Sequence, residues 1–328
     1  MRVLAAPDKF RGTATAPEVA AAVARAVVAA GGTADEAPLA DGGEGTLEAL
    51  GGANRTTTVS GPLGDPVEAV WRLDRRAAVI EMARASGLDV VGGPEGNDAV
   101  AASTYGTGEL IAAAVERGAR EIVVAVGGSA TTDGGLGALR ALEPSQRLRG
   151  IEIRVACDVR LPFVDAAEVY GPQKGASPAQ VELLRRRLER LAQIYEEEYG
   201  VDVTGLAGAG AAGGLAGGLA AIGAHLEAGF DLVADAIDLD ERMEGCDLVV
   251  TGEGFLDEQS FDGKVVGGVA ALAAALCVPV LVVAGDVMDP LPQAVEAVSL
   301  TERFGGERSR LDTLACIEAV VADHLASS

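Results

Sequence analysis

The chain has 328 residues and sets 26 Lys plus Arg against 49 Asp plus Glu, a net charge of −23. That acidic excess excludes nucleic acid as a partner, because neutralising phosphates requires a basic face; one Trp, four Tyr and six Phe also leave little for base stacking. Hydrophobic residues make up 49%, enough for a core without disulfide or metal staples, and the length suggests two domains.

Taken in order, the chain repeats a short apolar strand, a Gly-rich acidic loop and an Ala-rich helix. Arg2–Ala6 reads as the first strand. Thr15-Ala16-Pro17-Glu18 is a capping box with an early proline, and it opens a helix over Pro17–Ala30 that Gly31 stops. A strand over Thr33–Leu39 leads into an Asp-Gly-Gly-Glu-Gly loop. Asn54–Ala83 differs: three short strands with Gly-Pro and Asp-Pro turns and no helix between them. Glu121–Val126 is a Val-rich strand, Ile151–Cys157 ends at Asp158, and Pro178–Tyr199 is a charged helix capped by Ser177. The Arg185-Arg186-Arg187 run on that helix reads as a solvated face. Asp247–Thr251 ends at Gly252-Glu253-Gly254, and Pro279–Ala284 ends at Gly285-Asp286.

This alternation predicts an α/β protein with a largely parallel sheet. The expected organisation is a discontinuous α/β/α domain of flavodoxin-like type over residues 1–56 and 230–328. A second α/β domain with a mixed sheet, residues 57–229, is inserted into it. Two uncharged stretches, 203–224 and 265–285, imitate membrane spans. The glycines of the first and Pro279 in the second favour buried helix and strand instead. No signal peptide is expected, because Pro7 and Asp8 interrupt the opening apolar run. Cys157, Cys246, Cys277 and Cys316 form no Cys-x-x-Cys pair, which points to a reducing, cytoplasmic setting. His225 and His324 are the only histidines, so a His-based zinc site is not expected.

Ligands of parallel α/β sheets sit outside the carboxyl ends of the strands. Here those ends carry two to four glycines with acids at fixed places, more than ordinary turns need. The chain has three lysines, Lys9, Lys174 and Lys264, each beside Gly or Pro, while every other basic position is Arg. A compact ammonium kept against that bias suggests contact with phosphate or carboxylate. Gly208-Ala209-Gly210-Ala211-Ala212-Gly213 matches Gly-x-Gly-x-x-Gly, although Tyr199–Ala207 is a poor strand before it. Close helix packing and anion binding are both open there, and a NAD(P)-dependent dehydrogenase is the alternative this motif keeps alive. Walker A and protein-kinase motifs are missing from the sequence.

Seven motifs together resemble the bacterial glycerate kinase family (glycerate kinase type 1). They are Ala6–Gly12 (Ala-Pro-Asp-Lys-Phe-Arg-Gly), Ala40–Thr46 (Ala-Asp-Gly-Gly-Glu-Gly-Thr), Thr104–Leu110, Gly127–Gly135 (Gly-Gly-Ser-Ala-Thr-Thr-Asp-Gly-Gly), Gly171–Ala176, Gly208–Gly214 and Thr251–Gly254. Asp257, Gln259 and Gly263-Lys264 follow the last. The resemblance runs from residue 2 to about residue 320. It implies ATP-dependent phosphorylation of D-glycerate, 2-phosphoglycerate being favoured over the 3-isomer, with ATP and Mg2+ as cofactors. The implied partner is a small hydroxy acid, with neither nucleic acid nor membrane, and a homodimer as the form any assembly would take. The chain departs from the family pattern at Arg11, where Lys is usual, at Leu161-Pro162-Phe163 after Asp158, and at Phe255, where Arg is frequent. Only Leu142–Gly150 bridges to the next strand, shorter than usual, so a catalytically inactive anion-binding relative is a further alternative.

In a phosphotransferase reading, position and charge neutralisation matter most. Because ATP, glycerate and the chain are all anionic, the counter-charge must be local: Lys9, Arg11, Lys174, Lys264, backbone amides and magnesium. By analogy with sugar kinases, Asp133 is the expected general base, with Asp8 and Asp158 as rivals. Magnesium ligands are expected among Asp41, Glu44, Glu253 and Asp257. Substrate and ATP contacts are expected from Gly42, Gly43, Thr46, Thr107, Gly127, Gly128, Ser129, Gly134, Gln173, Lys174, Gly208, Gly210, Gly213, Gly252 and Gln259.

Overall fold

The computed structural model describes every residue except Arg11, Asp262, residues 289–295 and Ser328. Its strands are β1 (Arg2–Ala5), β2 (Thr33–Glu36), β3 (Arg55–Ser60), β4 (Pro66–Asp74), β5 (Ala77–Glu81), β6 (Glu121–Ala125), β7 (Glu152–Ala156), β8 (His225–Glu227), β9 (Leu248–Leu256), β10 (Val280–Val287) and β11 (Glu296–Ser299). The chain divides into two compact units. One comprises Met1–Asp41, Glu48–Leu50 and Gly229–Ser328, the other Gly42–Leu47 and Gly51–Ala228.

The first unit holds a parallel sheet of order β11-β10-β9-β1-β2. Counted within the unit this is the doubly wound order 2-1-3-4-5. Val3, Leu4 and Ala5 of β1 are fully buried, as a central parallel strand requires. Alternation sends Val3 and Ala5 to one face, against Val23, Ile317 and Val320. Leu4 faces the other way, against Val233, Val265 and Val269. Helix Ala16–Ala29 begins with the expected capping box: the amide of Thr15 donates to Glu18 Oε2 (2.9 Å) and the amide of Glu18 to Thr15 Oγ1 (3.4 Å).

Two strand ends differ from expectation. β2 stops at Glu36, although the amides of Ala37 and Leu39 still bond to the carbonyls of Ala5, in β1, and Pro7 just beyond it. β9 runs through Gly252-Glu253-Gly254 to Leu256, because β10 pairs with it as far as Val287. A Cβ on Gly252 would lie 1.9 Å from the Val283 carbonyl oxygen. The glycine therefore permits close strand pairing rather than marking a loop.

The second unit holds a six-stranded mixed sheet, order β3-β4-β5-β6-β7-β8, antiparallel over β3–β4–β5 and parallel thereafter. Residues 51–56, placed by sequence in the first domain, fold here: β3 starts at Arg55, and Asn54 bonds Leu73 through both its amide atoms (3.0 Å each). Helix Pro178–Tyr199 buries Leu184, Leu188, Leu191 and Tyr195. Arg185 and Arg186 turn outward to Glu182, as a solvated face does. The stretches resembling membrane spans become helix Ala211–Ala221 and helix Val265–Ala275 followed by β10. Among the described residues no helix is long and apolar enough to cross a membrane.

The Gly-x-Gly-x-x-Gly segment follows a short helical turn, Val203–Gly205, and not a strand. Ala212, Gly213 and Gly214 all have positive φ (52°, 68° and 91°), so this is not the regular helix start of a dinucleotide fold. A Cβ on Gly213 would stand 2.0 Å from the Thr131 carbonyl oxygen, and one on Gly210 2.3 Å from that of Pro162. Close packing is what these glycines provide, which removes the observation that favoured a dehydrogenase. Gly213→Ala should cost about 2–3 kcal/mol, from left-handed strain plus the clash. Gly31→Ala shares the positive φ (81°) but meets nothing within 4 Å, and should cost only ~1 kcal/mol. Urea unfolding of both variants measures the difference.

Candidate active site

In the first unit the chain turns from the β2 side of β1 to the β9 side, so the carboxyl ends of β1 and β9 form the switch point where such sheets bind ligands. Asp8 follows β1 there. Its amide donates to the Gly252 carbonyl (2.9 Å), and Thr251 Oγ1 donates to that of Ala6 (2.7 Å). Asp8 is 7% exposed. The Lys9 amide donates to its Oδ1 at 2.6 Å, and Lys9 Nζ lies 3.8 Å from the same oxygen. Burial, reinforced by the charges of Asp41 and Glu253, pushes the Asp8 carboxyl up to about 7 despite Lys9.

Glu253, in β9, is also pushed upward by burial. Ser260 and Lys264 oppose the shift, and Asp257 and Asp41 add to it. Its Oε1 is buried and has no hydrogen-bond partner among the described residues. Asp257 closes a tight turn: its Oδ1 accepts from the Ser260 amide (3.1 Å) and its own amide donates to Ser260 Oγ (3.1 Å). Lys264 sits at the start of helix Val265–Ala275, and Gln259 is exposed on the turn Glu258–Phe261. Asp8, Lys9, Asp41, Gly252, Glu253, Asp257, Gln259 and Lys264 thus belong to the first unit. Arg11 lies outside the described residues.

In the second unit a cavity of about 380 Å³ opens at the carboxyl ends of β6 and β7. Gly42, Gly127, Gly128, Ser129, Asp158, Gln173 and Lys174 line it, together with Asp89 and Tyr170, which sequence reasoning missed. Lys174 is 3% exposed; its Nζ donates to the Thr131 carbonyl at 2.6 Å and lies 5.9 Å from the centre of the Tyr170 ring. Burial pulls the Lys174 ammonium down to about 7, opposed by Asp133. Asn97, a second omission, donates through Nδ2 to the carbonyls of Ala130 and Lys174 (2.9 Å each).

Other expected site residues do structural work. Asp133 Oδ2 accepts from the amides of Thr104 (2.8 Å) and Gly137 (3.1 Å), and Oδ1 from that of Gly135 (3.1 Å). Thr104 Oγ1 donates to the same carboxylate. Asp133 therefore joins the starts of helices Tyr105–Glu116 and Leu136–Ala141, and its lone pairs are largely taken. Thr107 Oγ1 pairs with Ser86 Oγ (2.8 Å), Thr46 Oγ1 donates to the Gly43 carbonyl (2.7 Å), and the Gly134 carbonyl accepts from Tyr195 (2.9 Å). Gly43 supports the cavity loop: a Cβ on Gly127 would come 2.8 Å from its Cα. Glu44 is exposed on the same segment, and Gly208, Gly210 and Gly213 stand outside the cavity lining. Sequence reasoning also missed Glu81, 2% exposed at the end of β5. Its Oε1 receives the amides of Gly45 (2.9 Å) and Leu47 (3.0 Å), and its Oε2 the Arg84 Nε (3.0 Å). An acid ending an apolar strand was the available signal.

A doubly wound sheet with lysines and carboxylates at its switch point, and a second α/β unit with Lys174 in its cavity, fit an α/β phosphotransferase. A family model described as the glycerate kinase family matches residues 3–145 and 143–319. The chain is 40% identical over 329 residues to glycerate 2-kinase of Escherichia coli K12, covering 88% of this chain and 86% of that one. It is also 40% identical over 336 residues to glycerate kinase of Halalkalibacterium halodurans, with 90% and 87% covered. A crystal structure from Salmonella typhimurium LT2, provisionally named glycerate kinase 2, superposes with a TM-score of 0.87 at 35% identity and covers 100% of this chain and 98% of its own. The chain belongs to the glycerate kinase family and is a kinase.

The Asp8 shift carries a stability consequence. A carboxyl titrating near 7 when folded and near 3.8 when unfolded contributes fully below the lower value, and that contribution is lost as pH rises through about 7. Asp8→Asn, which stays neutral, should be more stable than wild type at pH 8 by on the order of 1 kcal/mol, or ~2–4 °C in Tm. The difference should vanish near pH 4, and calorimetry across that range checks it.

Proposed function

We propose that this enzyme transfers the γ-phosphoryl group of ATP to the 2-hydroxyl of D-glycerate. The observation that carries the reading is the pairing of two desolvated carboxylates, buried Asp8 and half-buried Glu253, with Lys9 and Lys264 at the switch point of the first unit. In this reading Lys9 and Lys264 neutralise phosphate oxygens and the acids hold magnesium. The names of the Escherichia coli and Halalkalibacterium relatives support glycerate as acceptor, and the former supports the 2-position.

Among the described residues no three His, Cys, Asp or Glu side chains form a closed metal cage. Magnesium in phosphoryl-transfer sites uses one or two carboxylates, completed by water and substrate phosphates. The unpartnered buried Oε1 of Glu253, beside the charges of Asp257 and Asp41, fits that need. Glu253 would hold the ion, with Asp41 or Asp257 as second ligand. When bound, Mg2+ would offset charge on the phosphate oxygens. Asp133 is not the proton acceptor in this reading, because its oxygens serve two helix starts; of its rivals, Asp158, which lines the second-unit cavity, takes the role. A cytoplasmic location belongs to the same reading, supported by four free cysteines.

The purified protein should release ADP from ATP only with D-glycerate or a close hydroxy acid present. EDTA should abolish turnover and magnesium restore it. The product's ³¹P signal should be a doublet, from one coupled proton at C2, and a triplet would place the phosphate at C3. No turnover across a broad hydroxy-acid panel would overturn the reading. Lys264→Arg should lower kcat about 100-fold, equivalent to ~2.7 kcal/mol of lost transition-state stabilisation. Arg186→Lys, whose parent side chain is 70% exposed on the charged helix, should be near neutral.

A further inference from the structure

We infer that the Lys174 cavity of the second unit is the recognition site for the carboxylate of a small hydroxy acid. Lys174 takes the carboxylate there, and Asp158 and Gln173 take its hydroxyls. The inference rests on the glycerate kinase reading and assigns the acceptor to one cavity.

Lys174 presents a charge that the fold itself leaves largely uncompensated. An ammonium has three donors, and among the described residues Nζ makes one hydrogen bond, to the Thr131 carbonyl. The acid that acts on it, Asp133, already accepts the amides of Thr104, Gly135 and Gly137. A buried cation without a full counter-charge is unfavourable unless a ligand brings one. The position is also held firmly. Asn97 ties the Lys174 carbonyl to that of Ala130, and Gly175 turns at φ +90° where a Cβ would stand 2.4 Å from the Pro94 carbonyl oxygen.

The wall chemistry selects among anions. Among the described residues one cation, Lys174, lines the cavity with two acids, Asp89 and Asp158, and the amide of Gln173. A polyphosphate would meet more negative than positive charge. A molecule with one carboxylate beside hydroxyls satisfies the set, because carboxylates and an amide oxygen accept from hydroxyls. At about 380 Å³ the cavity is at the small end of ligand sites, suited to a three- or four-carbon acid rather than a whole nucleotide.

Steady-state kinetics of Lys174→Met test this with D-glycerate, ATP and, as a neutral analogue, glycerol. KM for D-glycerate should rise by about 30-fold or more, the usual scale for a lost charge-assisted hydrogen bond, while KM for ATP stays within about twofold. The preference for D-glycerate over glycerol should fall by a similar factor. Removing the uncompensated charge should leave Tm unchanged or higher. If Lys174→Met does not fold, thermal shifts of the wild type decide instead: D-glycerate alone should raise Tm, and glycerol at equal concentration should not. An increase in KM for ATP with KM for D-glycerate unchanged, an equal rise in both, or no change in either would overturn the inference. So would equal thermal shifts from both ligands. A wild type with no D-glycerate-dependent ADP release would instead sink the underlying activity.

Discussion

Asp8 loses its water where β1 ends, and Glu253 loses most of its water one strand away. Among the described residues, the cations that act on these carboxylates are Lys9 and Lys264. Much of the first unit can be read from this concentration of charge at a dry strand end. β1 must be central and fully covered for Asp8 to be buried there, and the cores on its two faces supply that cover. β9 must continue through its glycines to place Glu253 beside β10, which Gly252 permits by lacking a Cβ. Stability given up at the strand ends is of the kind functional sites commonly carry.

The second unit handles its acids in the opposite way. Glu81 and Asp133 are both surrounded by backbone amides, and each fixes segments distant in sequence: Glu81 the 42–47 loop, Asp133 the starts of two helices. A carboxylate saturated by amides has little left for chemistry, whereas Lys174, with one hydrogen bond among the described residues for three donors, has much. The same contrast separates scaffold from reactive groups without any appeal to position in sequence.

Sequence patterning carried the fold far. The Gly-Pro and Asp-Pro turns with no helix between them located β3, β4 and β5, and the Ser177 cap located the charged helix to the residue. Boundaries slipped where backbone pairing decided them: β9 and β10 continue through glycines because the partner strand does. The site was legible as motifs but not as roles. Lys9, Lys174 and Lys264 stood out by rarity, yet burial, which distinguishes Lys174, is a property of the folded neighbourhood. Asp133 looked catalytic because it borders glycines; its partners Thr104 and Gly137 show that the glycines serve a helix junction. Asp89, Asn97 and Tyr170 carried no local signature, because the turns that bring them to Lys174 are set by tertiary packing.

The separation of β1 from β9 has a consequence for synthesis on the ribosome. The Arg2 amide donates to Asp247 Oδ2, and Val3 registers with Leu248, across nearly the whole chain. All of the second unit, ending at Ala228, emerges before β9 does. Val3, Leu4 and Ala5 must therefore wait with one strand edge unpaired while a complete neighbouring unit is made. The net charge of −23 on the whole chain works against anionic ligands, and like-charge repulsion of the same origin opposes association between copies of the chain.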